Sequence, residues 1–445
     1  MAEFEPLYTA EEMKAAEAGH DVEDLMRRAG TAVADETLRR YPQARVITAV
    51  CGKGANGGDG RIAIDVLRSA GRLAKVGEEG EPVGDSDVVI DALFGTGFHG
   101  EPRPEAAAAI EDINRSGAAV VSVDVASGVN ASTGEVATVA VEADVTVTFH
   151  GRKLGTVVGP GRFRCGDVLV AEIGLDHRST HARRVTKEIL KLVPPRLEED
   201  NKYSAGSVLV VGGAPGTTGA ARLATEAAFR ADAGYVTVAV PEQSLPVVEQ
   251  QLLEAVKRPL SQLDQAVERA SAIAVGPGLG RDQKEVVTRV LATDLPVVAD
   301  ADALFELEPV ERAAPTVLTP HSGELARLLG EDSSWVDAHR LNAAQRAADR
   351  FAAVCLLKGA DTIVAAPGEG PLVCDLGPPT LATAGSGDVL TGIIGAFLAK
   401  GMDARIAAAA GAAAQQLAAA STGYRAGMVA SDVVAALPRV FDATF

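Results

Sequence analysis

The stretch RVITAVCGKGANGGDGRIAIDVLRSA, Arg45 to Ala70, decides the fold of the first half of the chain. An apolar, β-branched run stops at a glycine-rich segment, and IAIDVLRSA then repeats its apolar residues at helical spacing. The stretch is therefore a buried strand, a tight turn and a helix. Bare backbone N–H groups at such a turn, together with the helix dipole, favour an anion, and glycine lets it approach the main chain closely. A phosphate cradle alone has no need of Asn56 and Asp59 among its glycines. Those oxygens ask for something more, a hard cation or a ribose hydroxyl.

Outward from this turn, short β-rich runs (SDVVIDALF, AAVVSVDVAS, ADVTVTF, DVLVAEIG) alternate with helical stretches up to about Leu190. The alternation implies a largely parallel, doubly wound α/β sheet, in which ligands bind beyond the carboxyl ends of the strands. Three more loops fall at such ends. DALFGTGFHGEP carries Asp91, SVDVASGVNASTGE carries Asp124 and Ser127, and FHGRKLG carries Lys153. Asn56, Asp91 and Ser127 then offer oxygens around a common point. Ahead of the sheet, Thr9 and Glu12 form a capping-box pattern, and Val22, Leu25, Met26, Ala29 and Val33 mark a second helix.

VPPRLEEDNKYSAG interrupts the pattern with two prolines and a charge cluster, which places a linker between about Leu192 and Asp200, with domains over 1–192 and 200–445. A second alternating series follows: GSVLVVGG, YVTVAV, SAIAVGPGLG, LPVVADADAL, TVLTP, AVCLLKG and DTIVAA, then three helices. Within it, LATAGSGDVLTGIIGAF sets small residues directly before a helix, with Asp388 on its first turn. Such N–H groups make an anion hole, and a carboxylate beside one suits phosphoryl transfer, the base taking a hydroxyl proton while the donors stabilise the phosphoryl oxygens.

Composition narrows the partners. With 445 residues, 47% of them hydrophobic, the chain fills two or three domains, and a net charge of −18 with no basic block argues against nucleic acid or an anionic membrane. Four cysteines without a CxxC pattern read as reduced thiols in a cytoplasmic protein. The acidic start MAEFEPLYTAEEMK lacks the pattern of a signal peptide, and IAAAAGAAA from Ile406 is too short to span a bilayer. The alanine-rich helices line either an interface or a core; a homo-oligomer is the expected state. EEGEPVGDS reads as a solvated turn. His177 and His181 lack the intervening Glu of a zinc helix and read as polar linker, while Trp335 reads as partly core.

CGKGANGGDG, DALFGTGFHG, VDVASG and FHGRKLG, with LMRRAG near the start, resemble the epimerase half of the bifunctional NAD(P)H-hydrate repair enzymes. The resemblance implies a Rossmann-like first domain holding hydrated NADH or NADPH. Its substrate contacts would be at Ala55, Asn56, Gly57, Gly58 and Asp59, at Gly95, Thr96, Gly97, Phe98, His99, Gly100 and Glu101, and at Asp124. It implies a potassium ion on Asn56, Asp91 and Ser127, and acid/base work for Asp124 and Lys153 at the C6 hydroxyl. Where that family usually has Pro-Gly-Asn-Asn this chain has Lys53-Gly54-Ala55-Asn56, and Ala126 replaces a proline.

The second half resembles the dehydratase half of the same enzymes, a ribokinase-like α/β domain, through KYSAGSVLVVGGAPGTTGAARLATEAAFRADAG, VGPGLG, TPHSGEL, LLKGADT and GSGD in that order. The resemblance places the hydrated nicotinamide at Gly278 and at Thr319, Pro320, His321, Ser322, Gly323, Glu324 and Leu325. It places ADP or ATP, with Mg²⁺, at Lys358, Gly359, Ala360, Asp361 and Thr362, and at Pro379, Thr380, Leu381, Ala382, Thr383, Ala384, Gly385, Ser386 and Gly387, with Asp388 as catalytic base. Departures are Pro378-Pro379 for Gly-Asn-Pro, Ser322 for proline and Asp232 for glycine. Asp300 and Asp302 touch substrate or magnesium, or cap the next helix. The implied activity is metabolite repair at two sites. The rivals are a kinase of a vitamin-like alcohol with an accessory domain, and a non-catalytic nucleotide sensor.

Overall fold

Val46–Cys51 is the strand expected ahead of the glycine turn and Ala55–Ser69 the helix after it, in a computed structural model that describes residues 2–78, 81–176 and 179–444. One unit comprises Pro6–Ala182 with Asp337–His339, the other Met1–Glu5 with Arg183–Val336 and Arg340–Phe445. With strands numbered along the chain, β1 (Phe4–Leu7) contributes Phe4 and Glu5 to the second unit. The first unit then holds β2 (Val46–Cys51), β3 (Leu73–Glu78), β4 (Val88–Ala92), β5 (Ala119–Val123), β6 (Val145–Phe149) and β7 (Asp167–Ala171).

These six pair all-parallel in the order β3-β2-β4-β5-β6-β7. β4 and β6 are buried at every residue, which is why they read as unbroken apolar runs. The helices Val22–Arg40 and Ala55–Ser69 pack Ala29, Val33, Ile64 and Leu67 on one face of the sheet, and Pro104–Arg115 packs Ile110 and Ile113 on the other. β2 is followed in sequence by β3 on one side, and β4 then crosses to the other. The winding therefore reverses between β2 and β4, and there the crevice opens. The loops after the two strands abut so closely that a Cβ on Gly52 would lie 2.2 Å from the Leu93 carbonyl.

The second unit continues with β8 (Ala182–Val185), β9 (Ser207–Val211), β10 (Tyr235–Val240), β11 (Val256–Pro259), β12 (Ala272–Val275), β13 (Val297–Ala299), β14 (Thr316–Leu318), β15 (Val354–Leu357), β16 (Thr362–Ala365) and β17 (Leu372–Cys374). They form one sheet in the order β1-β8-β17-β16-β15-β14-β13-β12-β9-β10-β11. It is parallel from β11 through β15, and β16 then runs antiparallel to both neighbours. Its reversal of winding falls between β9 and β12, where a Cβ on Gly212 would lie 2.1 Å from the Pro277 carbonyl. The helix Ser386–Ala399 lies against this sheet, with Gly395 over Val208, Ala274 and Val298.

Some expectations are corrected and others narrowed. The units divide at Ala182/Arg183, ahead of the expected linker at 192–200, because β8 pairs with β17 and Val185, Ile189, Leu190 and Val193 are buried in the second unit's core. The segment read as a solvated turn, 78–86, buries Val83 and anchors its N–H on Asp112 Oδ2 at 2.7 Å; Glu79 and Gly80 within it lie outside the described residues. So does His177, whereas His181 donates its backbone N–H to Glu12. The alanine-rich helix Ala404–Ser421 is core: Ala407 to Ala410 are fully buried, since small side chains allow close packing on both faces. Trp335 is half-buried beneath the Arg346 guanidinium. Among the described residues no helix is long and apolar enough to cross a membrane.

Candidate active sites

In the first unit, a cavity of about 560 Å³ opens at the carboxyl ends of β2, β4, β5 and β6, a volume that suits a ligand well beyond a few atoms. Its lining includes Ala55, Asn56, Asp59, Gly95, Thr96, Gly97, Phe98, His99, Glu101 and Asp124 from the expected set. Gly57, Gly58 and Gly100 do not line it. A Cβ on Gly57 would lie 2.0 Å from the Gly52 carbonyl and one on Gly58 2.5 Å from Met26 Sδ, so these two glycines serve the packing of the turn, while Gly100 takes a φ of 74°. Phe94 and Phe98 stack with centroids 4.8 Å apart, giving the cavity an apolar face.

Asp124, at the end of β5, has a φ of 69°, a left-handed conformation that Asp tolerates better than most residues. Its Oδ1 is 2.7 Å from Lys153 Nζ and accepts from Thr148 Oγ1 at 3.1 Å. Lys153 is wholly buried; its ammonium also donates to Thr148 Oγ1 at 3.0 Å and to the Phe149 carbonyl at 2.8 Å. A lysine taken out of water survives charged only when so surrounded. Burial pushes the Asp59 carboxyl up to about 8, helped by the charges of Asp124 and Glu17, and burial and Asp124 likewise raise Glu17. In Asp59 the cavity thus holds a group able to give and to take a proton near neutral pH.

Beside it, Asn56 Nδ2 donates to the carbonyls of Phe94 and Val123 at 2.9 and 3.1 Å. Asp91 is fully buried. It accepts from Ser127 Oγ at 2.6 Å, Ser127 N at 2.9 Å and Ser122 Oγ at 2.7 Å, and burial holds its carboxyl above the usual range against those bonds. The lining also includes Glu17, Lys53, Phe94, Arg103 and Phe149, none of them in the expected contact set. Lys53, Phe94 and Phe149 lie inside quoted motifs and Arg103 borders one, but Glu17 merely ends the helix Ala10–Glu17 and carries no motif.

In the second unit the helix Ser386–Ala399 begins at Gly385, which takes a φ of 87° and caps with no side chain. Asp388 on its first turn is partly exposed, and among the described residues its carboxylate makes no ion pair. Burial pushes it up to about 7, aided by the charges of Asp300 and Asp302 and opposed by Lys358. Lys358, at the end of β15, pairs with Asp300 Oδ1 at 2.7 Å and lies 3.7 Å from Glu324 Oε2. Asp300, at the end of β13, also accepts from Thr391 Oγ1 at 2.8 Å. Burial would raise its carboxyl, but the Lys358 charge and the bonds from Lys358 and Thr391 prevail and hold it low. Asp302 accepts instead from Gly280 N at 2.9 Å and so fixes the Gly-Pro-Gly turn. Neither aspartate's side chain caps the next helix.

Gly278 has a φ of 56°, and a Cβ there would lie 2.6 Å from the Thr217 carbonyl. His321 caps the helix Ser322–Leu329: its Nδ1 accepts from Gly323 N at 3.0 Å while Glu324 Oε2 accepts from His321 N at 2.9 Å, and its Nε2 lies 3.4 Å from Glu324 Oε1. Of the expected nucleotide segment, Gly359 and Ala360 are exposed. Asp361 turns inward to Arg340 Nε at 2.9 Å, and Thr362 is buried. Arg340, also donating to the Lys358 carbonyl at 3.2 Å, braces that turn; it lies far from any quoted motif and nothing in the sequence marked it.

Comparison with known proteins matches both units. Residues 208–439 fit the family model described as NAD(P)H-hydrate dehydratase, and residues 22–81 and 64–155 the one described as YjeF-related protein N-terminus. The bifunctional NAD(P)H-hydrate repair enzyme Nnr of Moorella thermoacetica is 37% identical over 94% of this chain and 92% of its own. That of Coxiella burnetii is 34% identical over 95% of each. A Bacillus subtilis ADP/ATP-dependent NAD(P)H-hydrate dehydratase, co-crystallised with ATP and Mg²⁺, superposes with a TM-score of 0.55 at 30% identity, over 58% of this chain and 98% of its own. The chain therefore belongs to the family of bifunctional NAD(P)H-hydrate repair enzymes.

Proposed function

We propose that this cytoplasmic chain repairs hydrated NADH and NADPH, interconverting the R and S epimers in the first unit and dehydrating the S epimer with ADP or ATP in the second. The observation that carries the reading is Asp388, an unpaired carboxylate poised near neutrality on the first turn of a helix whose N–H groups no side chain caps. Hydroxide is a poor leaving group. Asp388 takes the proton of the C6 hydroxyl as the hydroxyl oxygen attacks the nucleotide's terminal phosphorus; the bridging P–O bond breaks, AMP leaves from ADP or ADP from ATP, and the helix N–H groups stabilise the phosphoryl oxygens. The phosphate then leaves with its C–O electrons while C5 gives up a proton, and the C5=C6 double bond returns.

In the first unit Asp124 and Lys153 handle the proton of the same hydroxyl, its departure and return on either face exchanging the epimers. Asp59 and the turn from Ala55 hold the substrate, with Gly95 to Glu101 across the cavity. A potassium ion fits Asn56, Asp91 and Ser127: the donor atoms are all oxygens, and the fully buried Asp91 has no cationic side chain beside it among the described residues. When bound, such an ion supplies the positive charge that Asp91 lacks and ties three loops together. Among the described residues no cluster of three or more His, Cys, Asp or Glu stands ready for a metal, so Mg²⁺ is assigned to the nucleotide's phosphates and to no side chain.

The test incubates the purified protein with mixed hydrate epimers, with and without nucleotide, and follows the near-ultraviolet absorbance of reduced nicotinamide. Recovery should need nucleotide, vanish in Asp388→Ala and leave epimer interconversion intact. A stable phosphorylated product without recovery would instead mark a kinase, and binding without turnover a sensor.

A further inference from the structure

Among the described residues, three carboxylates stand about the Lys358 ammonium at the helix tip of the second unit. Lys358 Nζ lies 2.7 Å from Asp300 and 3.7 Å from Glu324, while Asp388, on the neighbouring helix, is left without an ion pair. The tip itself sits over the pair: a Cβ on Gly387, next to Asp388, would meet Lys358 Nζ at 3.3 Å and Asp300 Oδ2 at 3.4 Å. The ammonium is therefore within reach of the carboxylate that must act as base, and a close Lys–Asp pair there would hold Asp388 ionised but poorly basic. The ammonium is held by Asp300 instead. That aspartate is 1% exposed and cannot leave its place, since Thr391 Oγ1 bonds its second oxygen at 2.8 Å from the body of the same helix.

We propose that Asp300 is a positioning residue that draws the Lys358 ammonium down towards the sheet, so that Asp388 stays unpaired and basic and Lys358 stays oriented for an anion arriving at the helix tip. The inference rests on the reading of Asp388 as the base. The charged groups facing Asp388 are Asp300 and Asp302 after β13 and Lys358 after β15, with Glu324 from the helix Ser322–Leu329 behind Lys358. Asp302 is itself occupied by Gly280 N and by Arg281 at 3.8 Å, and so does not compete for the lysine. The direction in which Asp388 is displaced, up to about 7, is what such an arrangement produces.

The decisive measurement is a titration of the Asp388 carboxyl carbon by NMR in the full-length, nucleotide-free protein labelled at aspartate, with Asp388→Asn assigning the signal. In Asp300→Asn the lysine is released and should pair with Asp388, lowering its midpoint by about one to three pH units. In Asp300→Asn combined with Lys358→Met the midpoint should climb back to or above the wild-type value, because burial remains and the cation is gone. An unmoved or raised midpoint in Asp300→Asn, or a double variant as low as the single, overturns the proposal. Should Asp300→Asn fail to fold, Glu324→Gln, which keeps the capping hydrogen bond but drops the second charge on Lys358, should lower the midpoint in the same direction by less, and no movement there overturns it too. The titration needs no turnover, so its outcome is separate from the repair assay: activity lost in Asp388→Ala tests the base, and the shift in Asp300→Asn tests what keeps it free.

Discussion

At the scale of single residues, the two units surround their candidate carboxylates differently. Asp124 shares its environment with a buried ammonium, whereas Asp388 has burial and two like charges and no partner. A base whose midpoint is near 7 loses its active form below that, so nucleotide-dependent recovery of reduced coenzyme should fall about tenfold per pH unit on the acid side of 7 and level off above it, as a pH profile of kcat would read. The same displacement has a stability consequence. Because the folded carboxyl keeps its proton to about 7 while the unfolded one releases it near 3.8, stability falls as pH rises between those values. Asp388→Asn should therefore be more stable than the parent above pH 7, by roughly 3–4 kcal/mol, and no different below pH 4, in denaturant melts at both pH values. Lys153→Met should do the reverse. It strands Asp124, which is 8% exposed, and should cost about 3–5 kcal/mol in the first unit while abolishing epimer exchange and sparing the nucleotide-dependent step.

At the scale of elements, the first site sits where the winding of its parallel sheet reverses and the second at the carboxyl ends of β13 and β15, and glycines let the loops on either side of each reversal touch. That much was legible. The strand–turn–helix of Arg45 to Ala70, the capping box at Thr9 and Glu12, and the GSGD turn carry local signals strong enough to read one residue at a time. The less legible strands lack such signals: β3 reads LAKVGE because it is an edge with half its residues exposed, and β17 is three residues long. Among functional groups, Arg340 and Glu17 escaped because their roles come from the fold bringing distant segments together, Arg340 onto Asp361 and Glu17 towards Asp124. Helix packing is equally invisible in one dimension. Gly392 faces the helix Thr218–Arg230 so closely that a Cβ would lie 2.1 Å from the Ala224 carbonyl. Gly392→Ala should consequently lose about 1–3 kcal/mol by overpacking. Since the strain would tilt the helix that carries Asp388, dehydration should slow while epimer exchange stays at the parental rate, a pairing that melts and the two assays on one preparation would reveal.

At the scale of the whole molecule, the sequence correctly reads two α/β units, and it places the division too late because prolines and charges mark where a chain bends rather than where a core ends. The core of the second unit takes in Val185, Ile189, Leu190 and Val193, all ahead of the double-proline segment or at its edge, and β8 covers the side of β17 away from β16. A fragment covering residues 200–445, cut at the boundary the composition suggests, therefore lacks four buried apolar side chains and exposes the edge of β17. One covering 183–445 keeps them. At about 1.5–3 kcal/mol for each fully buried aliphatic side chain, before allowing for residual burial in the unfolded chain, the shorter fragment should be less stable by several kcal/mol and the more prone to aggregate through its free strand. Both retain Asp388, Lys358 and Asp300, so both carry the chemistry proposed for the helix tip; what separates them is the mechanical support of the sheet. Side-by-side urea melts, with sedimentation to detect aggregation, measure the difference. Equal midpoints for the two fragments would mean that residues 183–199 add nothing to the second unit, against the burial of their side chains in its core.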